Sequence, residues 1–361
     1  MILYPTKFKK NNLGDVLINV ILIKELLKDH RILMEDEIPS EFREQLTVDE
    51  ISRIIVQRNW LSRFVNYPVV HWLALLPSLS KIKYSISVPG HHKVTNDITS
   101  YIRTAKDIFK LSILNILGIK SVRLGVTIDV EKGFAMSLFR VLSKSYHAIG
   151  IREGVNYADL SKAGIKNCIL MDDLAVMLYD PKELKDLNYE NSKTVTLSFR
   201  GGLFGSKVEP DYTAKVLTYV KAILMNDFFN NKAFVICHQV EEDAEVSSIL
   251  YEALKDTYPC TLQANIMNMY DANILYRKSN CVLTNRLHVG LLAIVNGCPA
   301  YVITDLKKHT KIVNVFNELG LGNLLHDLES NFLNFSPVQV NFAKIEESKH
   351  RNEKIIAGIF R

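Results

Sequence analysis

Short apolar runs bounded by charged or turn residues alternate with longer segments in which apolar residues recur every three or four positions. Runs of the first kind read as strands buried in a parallel sheet, and segments of the second kind as crossover helices. In the first half the strands are "ILYP", "RILM", "YSISVP", "VRLGVTI", "HAIGIR" and "CILM", with a long helix over "DVLINVILIKELLKD". A polar stretch without periodicity, residues 181–193, then interrupts the pattern and reads as a linker. The cycle restarts with strands "TVTLSFR", "AFVICHQ", "TLQANI", "CVLTN" and "AYVIT". Helices follow them, among them "YTAKVLTYVKAILMN", "EVSSILYEALKDTY", "LHVGLLAIVNG" and "TKIVNVFNELG".

This pattern predicts an α/β chain with two doubly wound Rossmann-like domains facing across a cleft, a GT-B-like arrangement. Residues 1–180 form the first domain, 194–335 the second, and 336–361 a helical tail on the outside or back across the first domain. A chain of 361 residues suits two ordinary domains. With 48% hydrophobic and 23% charged residues, its composition is that of a globular protein.

The net charge of +5 is a mild basicity that suits an anionic ligand or a membrane surface, and no nucleic-acid partner is expected. The five cysteines are odd in number and mostly embedded in apolar runs, which fits reduced core thiols in a cytoplasmic protein. No Cys or His spacing suggests zinc, so no metal is expected. "MILYPTKFKK" begins directly with a strand, so no signal peptide is expected. The segment from Trp60 to Leu79 is rich in aromatic and apolar residues but is broken by prolines and a histidine. It is too short and too interrupted to span a bilayer. It reads either as a buried helix pair or as a patch, with Trp60 and Trp72, that touches the inner membrane leaflet.

The chemistry concentrates where strands hand over to helices, because open parallel sheets bind ligands beyond the carboxyl ends of their strands. In "CVLTNRLHVGLLAIVNG", Arg286 and His288 interrupt an otherwise apolar strand and helix. Arg286 offers a forked donor suited to carboxylate or phosphate, and His288 an imidazole that can give or take a proton. In "NNLGDVLI", Gly14 permits close backbone approach, while Asp15 in the first helical turn is either an N-cap or a carboxylate for sugar hydroxyls. Arg152 ends the strand "HAIGIR", and Gly164 is placed to stop the helix that follows. Arg200 ends "TVTLSFR" before Gly201 and Gly202, whose amides can turn toward an anion. Lys311 opens another helix. Arg152, Arg200, Arg286 and Lys311 together describe a small polyanionic ligand.

On three blocks the chain resembles the polysaccharide pyruvyl transferases: "NNLGDVLI", "IREGVNYADLSKAGI" with "DDLAVML", and "SNCVLTNRLHVGLLAIVNGCPAYVI" with the later "FNELGLG". The third block, with Arg-Leu-His between strand and helix, is the most specific. The resemblance implies a GT-B-like fold and transfer of the carboxyethylidene group of phosphoenolpyruvate to two sugar hydroxyls, with loss of phosphate. It implies no cofactor beyond that donor substrate, and a saccharide acceptor that is either lipid-linked or a polymer. On this reading Arg286, Arg152, Arg200 and Lys311 hold the donor. His288 acts as acid, base or phosphate stabiliser, and Asp15 serves the acceptor.

Two other readings share these features. A GT-B glycosyltransferase would also bind phosphates, and Glu241, Glu242 or Asp243 after a strand would then hold a nucleotide ribose. A non-catalytic member that scaffolds glycan assembly would have no need of the Arg286/His288 pair.

Overall fold

The computed structural model describes residues 1–5, 12–34, 37–56, 80–185, 192–203, 208–330 and 335–361. The aromatic segment from Trp60 to Leu79 lies outside the described residues. Contacts divide the chain into two compact units. One holds the first strand, residues 18–174 and 350–361; the other holds residues 12–17 and 175–349.

Unit 1 carries the parallel strands β1 (Ile2–Tyr4), β2 (Ile32–Met34), β3 (Ile54–Val56), β4 (Tyr84–Ser87), β5 (Gly90–Val94), β6 (Lys120–Val130), β7 (Ala148–Ile151) and β8 (Cys168–Leu170). Their order is β3-β2-β1-β4-β6-β7-β8, with β5 paired to the second half of β6. Leu3, Leu33, Val126, Ile149 and Ile151 centre its core. The strand "GHHKV" of β5 was not legible as one, because its middle is polar and partly exposed.

Unit 2 carries β9 (Thr194–Ser198), β10 (Ala233–Ile236), β11 (Cys260–Leu262), β12 (Ser279–Thr284), β13 (Ala300–Thr304) and β14 (Leu325–Asp327). All its pairs are parallel, in the order β11-β10-β9-β12-β13-β14. Numbered within the unit this is 3-2-1-4-5-6, the doubly wound dinucleotide-fold order, whose switch point falls between β9 and β12. The chain is thus built of two doubly wound Rossmann-like units, as the alternating pattern predicts.

The boundaries differ from those expected. Residues 12–17 group with unit 2 rather than with the first domain. Their attachment is a backbone bridge of Asn12 to Val240 and a bond from Leu13 N–H to the Gln239 carbonyl at 3.2 Å. Unit 2 also takes up the chain at Ala175, ahead of the expected linker, of which Pro181–Leu184 is helical and capped by Asp180. The last residues, 350–361, pack on unit 1. There Asn352 accepts from Asp172 N–H at 2.9 Å and donates to its carbonyl at 3.1 Å, and Phe360 meets Tyr84 edge-on. Gly164 closes the helix Gly154–Lys162 with φ +85°, as its position predicts. Among the described residues no helix is long and apolar enough to cross a membrane.

The helix Leu287–Val295 that follows β12 is held against β13 and the helix Thr310–Glu318 by Gly290. A Cβ at this position would lie 2.9 Å from Phe316 Cζ and 3.3 Å from Val302 Cγ2. Helix propensity alone favours Ala over Gly by about 1 kcal/mol. Overpacking a filled core costs about 1–3 kcal/mol and outweighs that preference. Gly290→Ala should therefore lower the urea midpoint of unfolding, and a raised midpoint would contradict this packing.

Candidate functional site

From Ser279 to Asp305 every side chain is buried except two, Arg286 and His288. Strand, turn, helix and strand are all committed to the core here, so only these two side chains of the run reach solvent. Thr284 ends β12 by donating to the Ser198 carbonyl at 2.6 Å and accepts from Arg286 N–H at 3.0 Å. Asn285, fully buried, joins the two loops at the switch point. Its Oδ1 accepts from Arg200 N–H at 2.7 Å, and its Nδ2 donates to the Arg200 carbonyl at 3.0 Å and to Tyr212 Oη at 3.2 Å. The amide therefore behaves as one more rung of the sheet and fixes Arg200 beside Arg286.

Arg286 occupies the N-cap position of the helix Leu287–Val295 and pairs with Asp243, whose side chain is 3% exposed. Burial pushes the Asp243 carboxyl up, while the Arg286 guanidinium pulls it down. Burial lowers Arg200, and Arg286 is the strongest charge acting on it in the same direction. Two guanidiniums thus share one carboxylate in a partly desolvated corner, with Glu209 the weakest influence on Arg200. The first N–H groups of a helix have no intrahelical acceptor and carry partial positive charge.

His288, second in the helix, lies directly under the backbone of Gly14. A Cβ on Gly14 would overlap His288 Nδ1 and lie 2.9 Å from its Cγ. The glycine of "NNLGD" and the histidine of "NRLH" are therefore one structural feature. Asn12, not Asp15, caps the helix Leu13–Leu27, its Oδ1 accepting from Gly14 N–H at 3.0 Å. Asp15 sits half-buried in the first turn beside that contact.

The other expected residues have different settings. Arg152 belongs to unit 1 and is fully buried. Its guanidinium pairs with Asp173 at 2.8 Å and donates from Nε to Thr127 at 3.0 Å, so it serves the strand ends of that unit and is not open to a ligand. Gly201 and Gly202 lack the left-handed backbone that an anion-binding nest needs. Gly201 instead receives bonds at its carbonyl from Glu209 N–H at 2.8 Å and Thr213 Oγ1 at 2.9 Å, which tie the loop to the next helix. Lys311 is half-buried in the first turn of Thr310–Glu318. His309 before it links Thr304 to the Leu203 carbonyl.

Sequence reasoning missed Asn285, which stands next to Arg286 as the one amide between strand and helix, and the role of Asp243 in holding Arg286. It also missed His238, which lies just beyond β10 with 2% exposure. Burial lowers His238, opposed by Asp243. Among the described residues no three His, Cys, Asp or Glu side chains group closely enough to hold a metal ion.

A family model described as polysaccharide pyruvyl transferase matches residues 12–305, a span that includes Gly14, Arg200, Asp243, Arg286 and His288. Among curated proteins, none matches the sequence. Solved structures with a similar fold include the UDP-GlcNAc 2-epimerase from Methanocaldococcus jannaschii. It is 12% identical, with 99% of this chain and 98% of that chain covered and a TM-score of 0.56. The Neisseria meningitidis UDP-GlcNAc 2-epimerase bound to UDP-GlcNAc is 12% identical over 99% and 92% of the two chains, with a TM-score of 0.51. S. aureus MnaA in its co-structure with UDP is 11% identical over 99% and 89%, with a TM-score of 0.53. At these identities the likeness concerns the fold, which is of the GT-B class.

Replacing Gly14 with Ala should push the His288 imidazole from its place. Its ring resonances, assigned by their loss in His288→Gln, should shift in the NMR spectrum while those of the other histidines stay. Unchanged His288 resonances would contradict the close approach.

Proposed function

The chain belongs to the polysaccharide pyruvyl transferase family, and on that premise we propose that it moves the carboxyethylidene group of phosphoenolpyruvate onto two hydroxyls of a saccharide. The observation that carries this reading is the exposure of Arg286 and His288 alone from a buried run, beside Arg200 at the switch point of unit 2. Phosphoenolpyruvate presents a carboxylate and a phosphate on one carbon, and two guanidiniums with a helix N-terminus match that charge. Asp243 orients Arg286.

The reaction needs one proton delivered to C3 of the donor, which becomes the methyl group, as the first hydroxyl bonds to C2. The second hydroxyl then bonds to C2 as the phosphate leaves, and its proton ends on phosphate. His288 is the group in this corner suited to carry those protons, giving one to the donor and taking one from a hydroxyl. Arg286 and Arg200 balance the charge that develops on the leaving phosphate; removal of one well-placed donor of this kind typically costs about 10²–10³ in turnover. Asp15, in the turn beside Gly14, would accept a hydrogen bond from the acceptor, and Lys311 would add to the field on the donor.

The fold neighbours with UDP or UDP-GlcNAc favour a second reading, a nucleotide-sugar enzyme. Asp243, the buried acid that could serve a ribose, is already held by Arg286, which weighs against it.

Phosphate release from phosphoenolpyruvate, measured with a panel of lipid-linked and free oligosaccharides, tests the proposal. Acceptor-dependent release, with a product heavier by one carboxyethylidene group, is expected. His288→Ala should reduce that turnover by about 10²–10⁴-fold with the fold intact. Absence of release, together with binding of a nucleotide sugar, would overturn the reading.

A further inference from the structure

Unit 1 carries a surface whose chemistry the reaction does not use. Among the described residues fourteen large hydrophobic side chains are exposed, and seven of them fall on the helices Ile98–Ile116 and Phe134–Lys144 or at their ends. Scattered exposed hydrophobics are ordinary on a protein surface, but concentration on one face is not. On the first helix Ile98, Ile102, Phe109 and Ile116 lie within about 40° of one another around the axis. Ile98 is 70% exposed, Phe109 69% and Ile116 84%. The opposite side of the same helix, Ser100, Thr104, Leu111 and Leu114, is buried. The core takes Leu111 and Leu114 from that buried side and does not account for the outer apolar stripe.

The second helix extends the outer face. Phe134, 60% exposed, meets Tyr101 of the first helix edge-on at 4.9 Å, and Val141 follows two turns later. Meanwhile its Phe139 and Leu142 point into the core. The flanks are cationic: Arg103, Lys106 and Lys110 run along one side of the first stripe, and Arg140 and Lys144 are exposed on the second helix. The carboxylates nearby are otherwise engaged or turned inward. Asp97 caps the first helix through Ser100 N–H, and Asp107 is half-buried near Arg123, Lys110 and Arg103.

We infer that this two-helix face docks on an anionic lipid surface, with the apolar stripe entering the headgroup boundary and the flanking cations meeting lipid charge. An apolar stripe with lysines and arginines beside it is the chemistry that such a surface selects. Charge complementarity favours it over a second copy of this chain, because two such faces would oppose five cations to five. The inference stands independently of the assigned reaction.

Co-sedimentation of the full chain tests it, using vesicles of phosphatidylcholine with and without about one third phosphatidylserine. Binding to the anionic vesicles should exceed binding to neutral ones by about tenfold and fall as salt rises. The pair Phe109→Glu and Ile116→Glu should abolish binding, and Lys106→Gln with Lys110→Gln should weaken it about tenfold or more. Both pairs change exposed side chains, so circular dichroism should be unchanged. A wild-type chain that stays in the supernatant would overturn the inference. So would variants that bind as the wild type does, or a wild-type dimer in sedimentation velocity that the Glu variants dissociate.

Discussion

The burial of nearly every residue from β12 through β13 is the constraint on which the rest of unit 2 depends. A strand paired on both sides and a helix apolar all round leave no solvent-exposed side chain except at the junction between them. Arg286 and His288 take those positions because Thr284 and Asn285, themselves buried, satisfy the backbone of the neighbouring loop. A guanidinium and an imidazole are thereby displayed from an otherwise buried run. Sites built on such elements are held more tightly than sites on loops.

Around that junction each neighbour removes one freedom. Asp243 fixes the guanidinium, at the cost of burying a carboxylate whose proton affinity rises with desolvation. Gly14 fixes the imidazole from above, which ties the start of the helix Leu13–Leu27 to unit 2 even though most of that helix groups with unit 1. Arg200, lowered by burial and by Arg286, places a second guanidinium beside the first.

Much of this was legible in the sequence, and the reasons for the rest are physical. Buried parallel strands announce themselves as apolar runs, so β12 and its helix were readable residue by residue. Strands β5 and β14 were not, since "GHHKV" and "LHD" carry their polar residues within the strand. Arg286 and His288 stood out because they interrupt an apolar pattern. Asp243 did not, because it is hidden beside two exposed glutamates, and only the fold shows which of the three turns inward. Arg152 looked like its counterpart Arg286, a strand-end arginine. Each pairs with a buried aspartate, and what separates them is burial of the guanidinium: the Arg152 side chain is 1% exposed and that of Arg286 20%.

The central claim is that the Arg286 corner of unit 2 receives phosphoenolpyruvate. Calorimetric titration of phosphoenolpyruvate into the wild-type chain and into Arg286→Ala tests it most directly. The account predicts binding by the wild type and at least about a hundredfold loss in the variant, the scale of a desolvated charge-assisted contact. Equal affinity for the two proteins would contradict it.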